Sequence, residues 1–193
     1  KDHASFPGLF SCVDLPPMQP EESSEMVKST LGQGIPPLQV SEKVLRGMHY
    51  YSNGYPYFLQ ELGWWSFEAD DDGILEWDDF STGVLGSSDL KGALYAVGDN
   101  LFGQRVISGL SSEDHREILG VVAEEKSEII SIEKIREKVP SKSPHEIGAL
   151  VRSLHSKGLL KPVSGQRGKY KLESRLLKLW LRWNKIGRKP PEY

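Results

Sequence analysis

Helical spacing of apolar residues dominates this chain and gives way to two short extended runs only near its C-terminus. In 143–157, Ile147, Leu150, Val151 and Leu154 recur at i, i+3, i+4 and i+7, the pattern of a helix with one buried face. Ser143 is a good N-cap, Pro144 suits the first helical position, and Glu146 follows where a capping box needs it. Gly158 stops the helix. The runs 159–163 and 169–172 read as a hairpin, and two glycines in its tip, Ser164-Gly165-Gln166-Arg167-Gly168, permit positive φ.

Upstream, 6–20 is proline-rich, with Phe10, Val13 and Leu15 in a partly alternating run that suits the tail of a strand. Helices are expected over 21–31 (Met26, Val27, Leu31), over 41–51 (Val44, Leu45, Met48) and from Pro56 through Phe67 (Phe58, Leu59, Leu62, Trp65). Ile35-Pro36-Pro37-Leu38 breaks the first from the second, and Asn53-Gly54 makes a turn before the third. A fourth helix starts near Asp78 or Asp79 and continues with interruptions through 90–107. Ser111-Ser112-Glu113-Asp114 opens another, with His115, Ile118, Leu119 and Val122 on one face. A short helix over 132–139 ends at Pro140, and an amphipathic one over 174–186 closes the chain.

The expected fold is therefore mainly α with a small β-hairpin, divided near Gly109 into 1–109 and 110–193. In the second part the order helix, helix, capped helix, hairpin is that of a winged-helix (helix-turn-helix) domain, with a terminal helix added. The plainer alternative is three helices and a hairpin packed for stability alone.

Charge separates the same two parts. Residues 1–110 hold 6 Lys+Arg against 16 Asp+Glu, a net of −10, whereas 111–193 hold 18 against 11, a net of +7. Within 141–193 the balance reaches 13 against 3, so the cations gather from the capped helix onward. Such asymmetry bears on electrostatic partners, and it also invites contact between the halves that would compete with DNA.

On the capped helix the face opposite the apolar one carries His145, Gly148, Ala149, Arg152, His155 and Ser156. Small residues let a helix approach a groove closely, and arginine contacts phosphate or guanine. Gln166, Arg167 and Lys169 stand at the hairpin tip, and Arg175, Lys178, Arg182 and Lys185 form one stripe on the last helix. That stripe lies opposite Leu176, Leu177, Trp180 and Trp183. A solvated face explains it equally well, since cations near a helix C-terminus are favoured by the dipole.

The run Asn53-Gly54-Tyr55-Pro56-Tyr57-Phe58-Leu59-Gln60-Glu61-Leu62-Gly63, with Leu15-Pro16-Pro17-Met18 ahead of a Glu-rich helix, resembles the segment after the nucleotide-binding core in AAA+ and STAND-type ATPases of the archaeal and bacterial kind. There a Gly-x-Pro motif opens a helix of the small lid subdomain, and a winged-helix domain follows. The resemblance spans about 10–183 and makes 1–109 a helical lid-like subdomain with a remnant of the core. It places Gly54 and Pro56 against the adenine side of ATP or ADP; a helix-connecting turn is the other reading of those residues. No residue uniquely matches a sensor arginine, Arg46 and Arg105 being the candidates. No Gly-x-x-x-x-Gly-Lys-Ser/Thr loop and no apolar strand ending in paired acids is present, so no hydrolysis is expected of the chain alone.

Glu68-Ala69-Asp70-Asp71-Asp72-Gly73-Ile74-Leu75-Glu76-Trp77-Asp78-Asp79 spaces acids as in a calcium loop, but Glu stands at the first position and short-armed Asp at the last. A polar turn before a capped helix competes with that reading and is preferred. The five histidines show no ligand spacing, no serine sits in a Gly-x-Ser-x-Gly elbow, and His115 reads as a core histidine. Lone Cys12 forms no intrachain disulfide, no apolar run approaches the roughly 18 residues of a membrane span, and a cytoplasmic location is expected. Lys1 in place of methionine suggests a cut from a longer protein.

The functional expectation is the C-terminal portion of an AAA+/STAND-like ATPase whose winged helix binds DNA or a protein partner. The competing reading is a free-standing winged-helix transcriptional regulator with an acidic dimerisation or effector half. A third makes the winged helix a packing and autoinhibitory module.

Overall fold

A computed structural model of the chain describes residues 16–34, 37–110 and 112–185, the side chains of 99, 104–106 and 185 excepted. The strand tail expected over 6–15, Cys12, the break at Ile35-Pro36, Ser111 and the end of the last helix at Ile186 lie outside the described residues.

The described chain is mainly helical with two small sheets. Its first half packs α1 (Pro20–Gly32), α2 (Glu42–Ser52), α3 (Pro56–Ala69) and α4 (Trp77–Leu85) together. Val27, Val44, Leu45, Met48, Leu59, Leu62, Leu75 and Phe80 form their shared core, each at most 5% exposed. Burying one such side chain contributes about 1.5–3 kcal/mol, so these contacts rather than local propensity hold the short helices. Ser41 caps α2, accepting from the Val44 N–H at 3.4 Å, and Pro56 opens α3 at the position where a missing N–H costs nothing.

Strands β1 (Gln39–Val40) and β2 (Ile74–Leu75) pair in parallel, Gln39 beside Ile74 and Val40 beside Leu75. The acidic run between α3 and α4 turns its carboxylates onto its own backbone. Asp70 accepts from the Gly73 N–H at 3.0 Å, Asp72 from Ile74 at 2.8 Å, and Asp79 from Glu76 at 2.8 Å. Among the described residues no group of three or more His, Cys, Asp or Glu is placed to hold a metal ion.

The interrupted fourth helix resolves into α4, α5 (Ala93–Val97) and a π-helix over Gly98–Ile107. After it come α6 (Glu113–Glu124), β3 (Ile130–Ser131), α7 (Ile132–Lys138), α8 (Pro144–Ser156), β4 (Leu160–Pro162), β5 (Lys169–Leu172) and α9 (Arg175–Lys185). The second sheet has the order β3-β5-β4, antiparallel throughout, with Tyr170 opposite both Ile130 and Pro162. Ile118, Leu119, Ile135, Ile147, Val151, Leu154, Leu160 and Leu176 fill the core beneath it. His115 is buried among them, with Ser112 Oγ and Ser153 Oγ each 3.0 Å from its ring nitrogens.

Among the described residues a seam along α9 joins the halves. The indole of Trp180 on α9 lies on Gly98 at the start of the π-helix, where any Cβ would overlap the ring. Phe102 meets the same indole with ring centroids 5.9 Å apart. No helix among the described residues is long and apolar enough to cross a membrane.

Candidate functional site

Two places collect the residues singled out by the sequence. At the first, the Met18 N–H donates to the Gly54 carbonyl at 2.9 Å, which brings the Pro16-Pro17-Met18 strip onto the turn before α3. Gly54 is buried with φ +75°, and a Cβ there would overlap the Met18 carbonyl oxygen. Glycine is thus required twice, once by the left-handed backbone and once by the close approach. Ser52 Oγ accepts from the Gly54 N–H at 3.1 Å and fixes the turn. Pro56 beside it is exposed, as are Tyr55 and Tyr57, both more than 40% accessible. Arg46 is exposed on α2, and the Arg105 side chain is outside the described residues.

At the second place, the capping box of α8 forms as its residues require. Ser143 Oγ accepts from the Glu146 N–H at 3.3 Å, and Glu146 accepts from the Ser143 N–H at 2.8 Å. Bonds from the Ser143 hydroxyl and N–H hold the Glu146 carboxyl below the usual carboxylate range. His145, Ala149, Arg152, His155 and Ser156 are exposed along the face away from the core. Arg152 folds back over Gly148, its guanidinium 3.4 Å from where a Cβ would stand. His155 Nδ1 lies 3.0 Å from the Leu160 carbonyl and ties the end of α8 to β4.

The hairpin tip is exposed at Gln166, Arg167 and Lys169 and closes through Val163 N–H to the Lys169 carbonyl at 3.0 Å. Nearby, Lys161 is paired with Glu173 at 3.0 Å. His145, Arg152, His155, Gln166, Arg167 and Lys169 therefore stand in solvent on two consecutive units, α8 and the β4–β5 hairpin.

The stripe on α9 is not a free surface along its length. Arg175 faces inward at the seam: its Nε and Nη2 donate to Glu128 of its own half at 2.8 and 3.3 Å, and its Nη1 crosses to the Tyr50 carbonyl at 3.3 Å. The guanidinium also stacks on the Tyr50 ring, 4.2 Å from its centroid, while the Tyr50 hydroxyl donates to Glu128 at 2.5 Å. Arg175 and then Tyr50, by hydrogen bonding, hold the Glu128 carboxyl below its ordinary pKa, and Glu128 pushes the Tyr50 hydroxyl up. Lys178 donates to the Ser127 carbonyl at 2.6 Å; burial first, and Arg182 second, lower its pKa. Arg182 is half-buried, and the Lys185 side chain lies outside the described residues. Glu128, Tyr50 and Asn53 carry no sequence signal for this role, because each partner is distant in the chain.

The ion pairs Lys28–Glu42, Lys142–Asp114, Lys161–Glu173 and Arg175–Glu128 each join residues of a single half. No family model matches this chain, and no curated protein or solved structure is significantly similar to it.

Proposed function

We propose that this chain is the lid and winged-helix portion of an AAA+/STAND-like ATPase, with α8 and the β4–β5 hairpin as a nucleic-acid-facing output. The observation that carries the reading is the bond from Met18 to Gly54. The two separate strips on which the resemblance rests meet there, around a glycine that cannot be replaced without strain. Exposed Pro56, Tyr55 and Tyr57 leave the edge of that turn open to an adenine ring held by an upstream core. ATP or ADP would belong to that core and lid together, since this chain has no phosphate loop.

The order α6, β3, α7, α8, β4, β5, with β3 on the outer edge of β5, supports a winged helix whose recognition helix is α8 and whose wing is the tip at 164–168. Arg152, Arg167 and Lys169 are suited to phosphate, with His145, His155 and Gln166 beside them. A single arginine on the outer face of α8 favours backbone contact over base reading. Arg175 belongs to the seam between the halves through Tyr50, and Lys178 is held by the Ser127 carbonyl within its own half.

Two observations test the reading separately. The reading frame upstream of Lys1 carries a Gly-x-x-x-x-Gly-Lys-Ser/Thr motif if the ATPase half is right, and a start codon with no such motif overturns it. Anisotropy of a labelled duplex, titrated with the chain at low salt, shows saturable binding that weakens as salt rises if the output contacts DNA. No binding at low salt turns the output toward a protein partner.

A further inference from the structure

Between α1 and α3 runs an open groove of about 570 Å³. The two helices start side by side, tied by the Met18–Gly54 bond, and the groove follows them from Leu59 to Phe67, about 12 Å of helix. Its walls are apolar: Met26 and Leu31 on one side, Trp64 and Phe67 on the other. Trp64 is 58% exposed and stacks on Phe67 with centroids 6.2 Å apart, so a large aromatic surface stands open to water. On the floor, nothing lies within 4 Å of the position a Gly63 Cβ would take. That opening admits a side chain from outside.

The charge around the groove points to its occupant. Glu61 lines the groove beside Trp64, exposed Glu68 follows Trp64 one turn on along α3, and residues 1–110 as a whole hold 16 Asp+Glu against 6 Lys+Arg. Among the described residues lining the groove there is no Lys, Arg or His. An apolar trough two turns long with an acidic edge on α3 fits a helix that presents apolar anchors at i, i+3/i+4 and i+7 flanked by cations. The helix of this chain with that character, α9, has Leu176, Leu177, Trp180 and Trp183 buried in its own fold and cannot supply it.

We infer that the α1–α3 groove is a docking site for a cationic amphipathic helix of a partner protein. Trp64 and Phe67 grip its apolar anchors, Gly63 makes room for one of them, and Glu61 and Glu68 select its charge. The site is independent of the DNA-facing surface on α8 and the hairpin.

The probe is a labelled peptide of about 14 residues, with leucines at helical spacing and lysines elsewhere, and a twin in which glutamates replace the lysines. Anisotropy with the full chain gives saturable binding of the cationic peptide and none of the anionic one. Gly63→Leu fills the floor from a helical position with open space, and Trp64→Ala removes an exposed wall, so both fold, as circular dichroism verifies. Each weakens the cationic peptide by about tenfold or more and leaves duplex DNA binding unchanged. Equal binding of the two peptides, no saturation by either, or full binding to Gly63→Leu overturns the proposal. Sedimentation showing a wild-type dimer that Gly63→Leu abolishes overturns it as well, in favour of a second copy of this chain in the groove.

Discussion

Asn53 Oδ1 accepts a hydrogen bond from the main-chain N–H of Arg175 at 3.0 Å, so a residue ending α2 caps the first turn of α9 across the seam between the halves. Asn53 does this from a left-handed conformation, φ 56°, which is why an Asx residue rather than a larger one stands there. Two roles can be separated by substitution. Asn53→Gly keeps the backbone and loses the cap, and is expected to cost about 1 kcal/mol. Asn53→Ala loses the cap and strains the backbone, adding about 1 kcal/mol more. Urea unfolding measures both; a Gly variant as stable as wild type would show that the cap contributes nothing.

The seam also depends on Gly98. Its missing side chain is the seat of the Trp180 indole, and Gly98→Ala drives a methyl into that ring from a helical backbone that cannot easily move. Overpacking of this kind costs about 1–3 kcal/mol or more. Trp180→Phe has the opposite character. The Trp180 indole N–H is buried without an acceptor, so its removal relieves an unpaired donor and offsets part of the lost area. The expected ranking by thermal unfolding is Gly98→Ala well below Trp180→Phe; the reverse order is incompatible with this packing.

Much of this architecture is readable from local pattern. The capping box at Ser143 and Glu146, the stop at Gly158, the hairpin register and the burial of Trp180 and Trp183 follow from neighbours within a few positions. The two-residue strands β1, β2 and β3 escape such reading, because two residues have no period and their partners lie far along the chain. The α9 stripe shows the same limit for the candidate site. Spacing puts Arg175, Lys178 and Arg182 on one side of a helix, but only the fold brings Glu128 and Tyr50 to meet Arg175 and the Ser127 carbonyl to meet Lys178. The groove beside Trp64 is hidden for the mirror reason: Phe58, Leu59, Leu62 and Trp65 read as one apolar face, which leaves Trp64 looking like an ordinary surface residue.

Acid weakens the seam through Glu128. Its folded pKa lies below the unfolded value of about 4.3, so the stabilisation is fully present above that value and is lost as pH falls through the folded pKa. With the side chains 31% and 41% exposed, screening limits the Arg175–Glu128 pair to about 0.5–1 kcal/mol. Glu128→Gln is therefore less stable than wild type at pH 7, and the gap narrows below about pH 4. Chemical denaturation at pH 7, 5 and 3 checks this, and a gap that widens on acidification contradicts the assignment.

Charge reversal separates the proposed DNA surface from the seam. Arg152→Glu and Arg167→Glu change exposed side chains away from the seam, so stability is expected to move by less than about 0.5 kcal/mol. Duplex affinity falls for both, and the slope of log K against log salt flattens by about one for each phosphate no longer neutralised. Arg182→Glu has a smaller effect on DNA, because Arg182 is half-buried and beside Lys178. Arg175→Glu places a second carboxylate against Glu128 and loosens the seam, lowering the unfolding midpoint before it touches binding. The decisive comparison is the salt slope: if Arg175→Glu flattens it as much as Arg152→Glu while the fold stays intact, the phosphate-binding surface lies on α9 rather than on α8 and the hairpin.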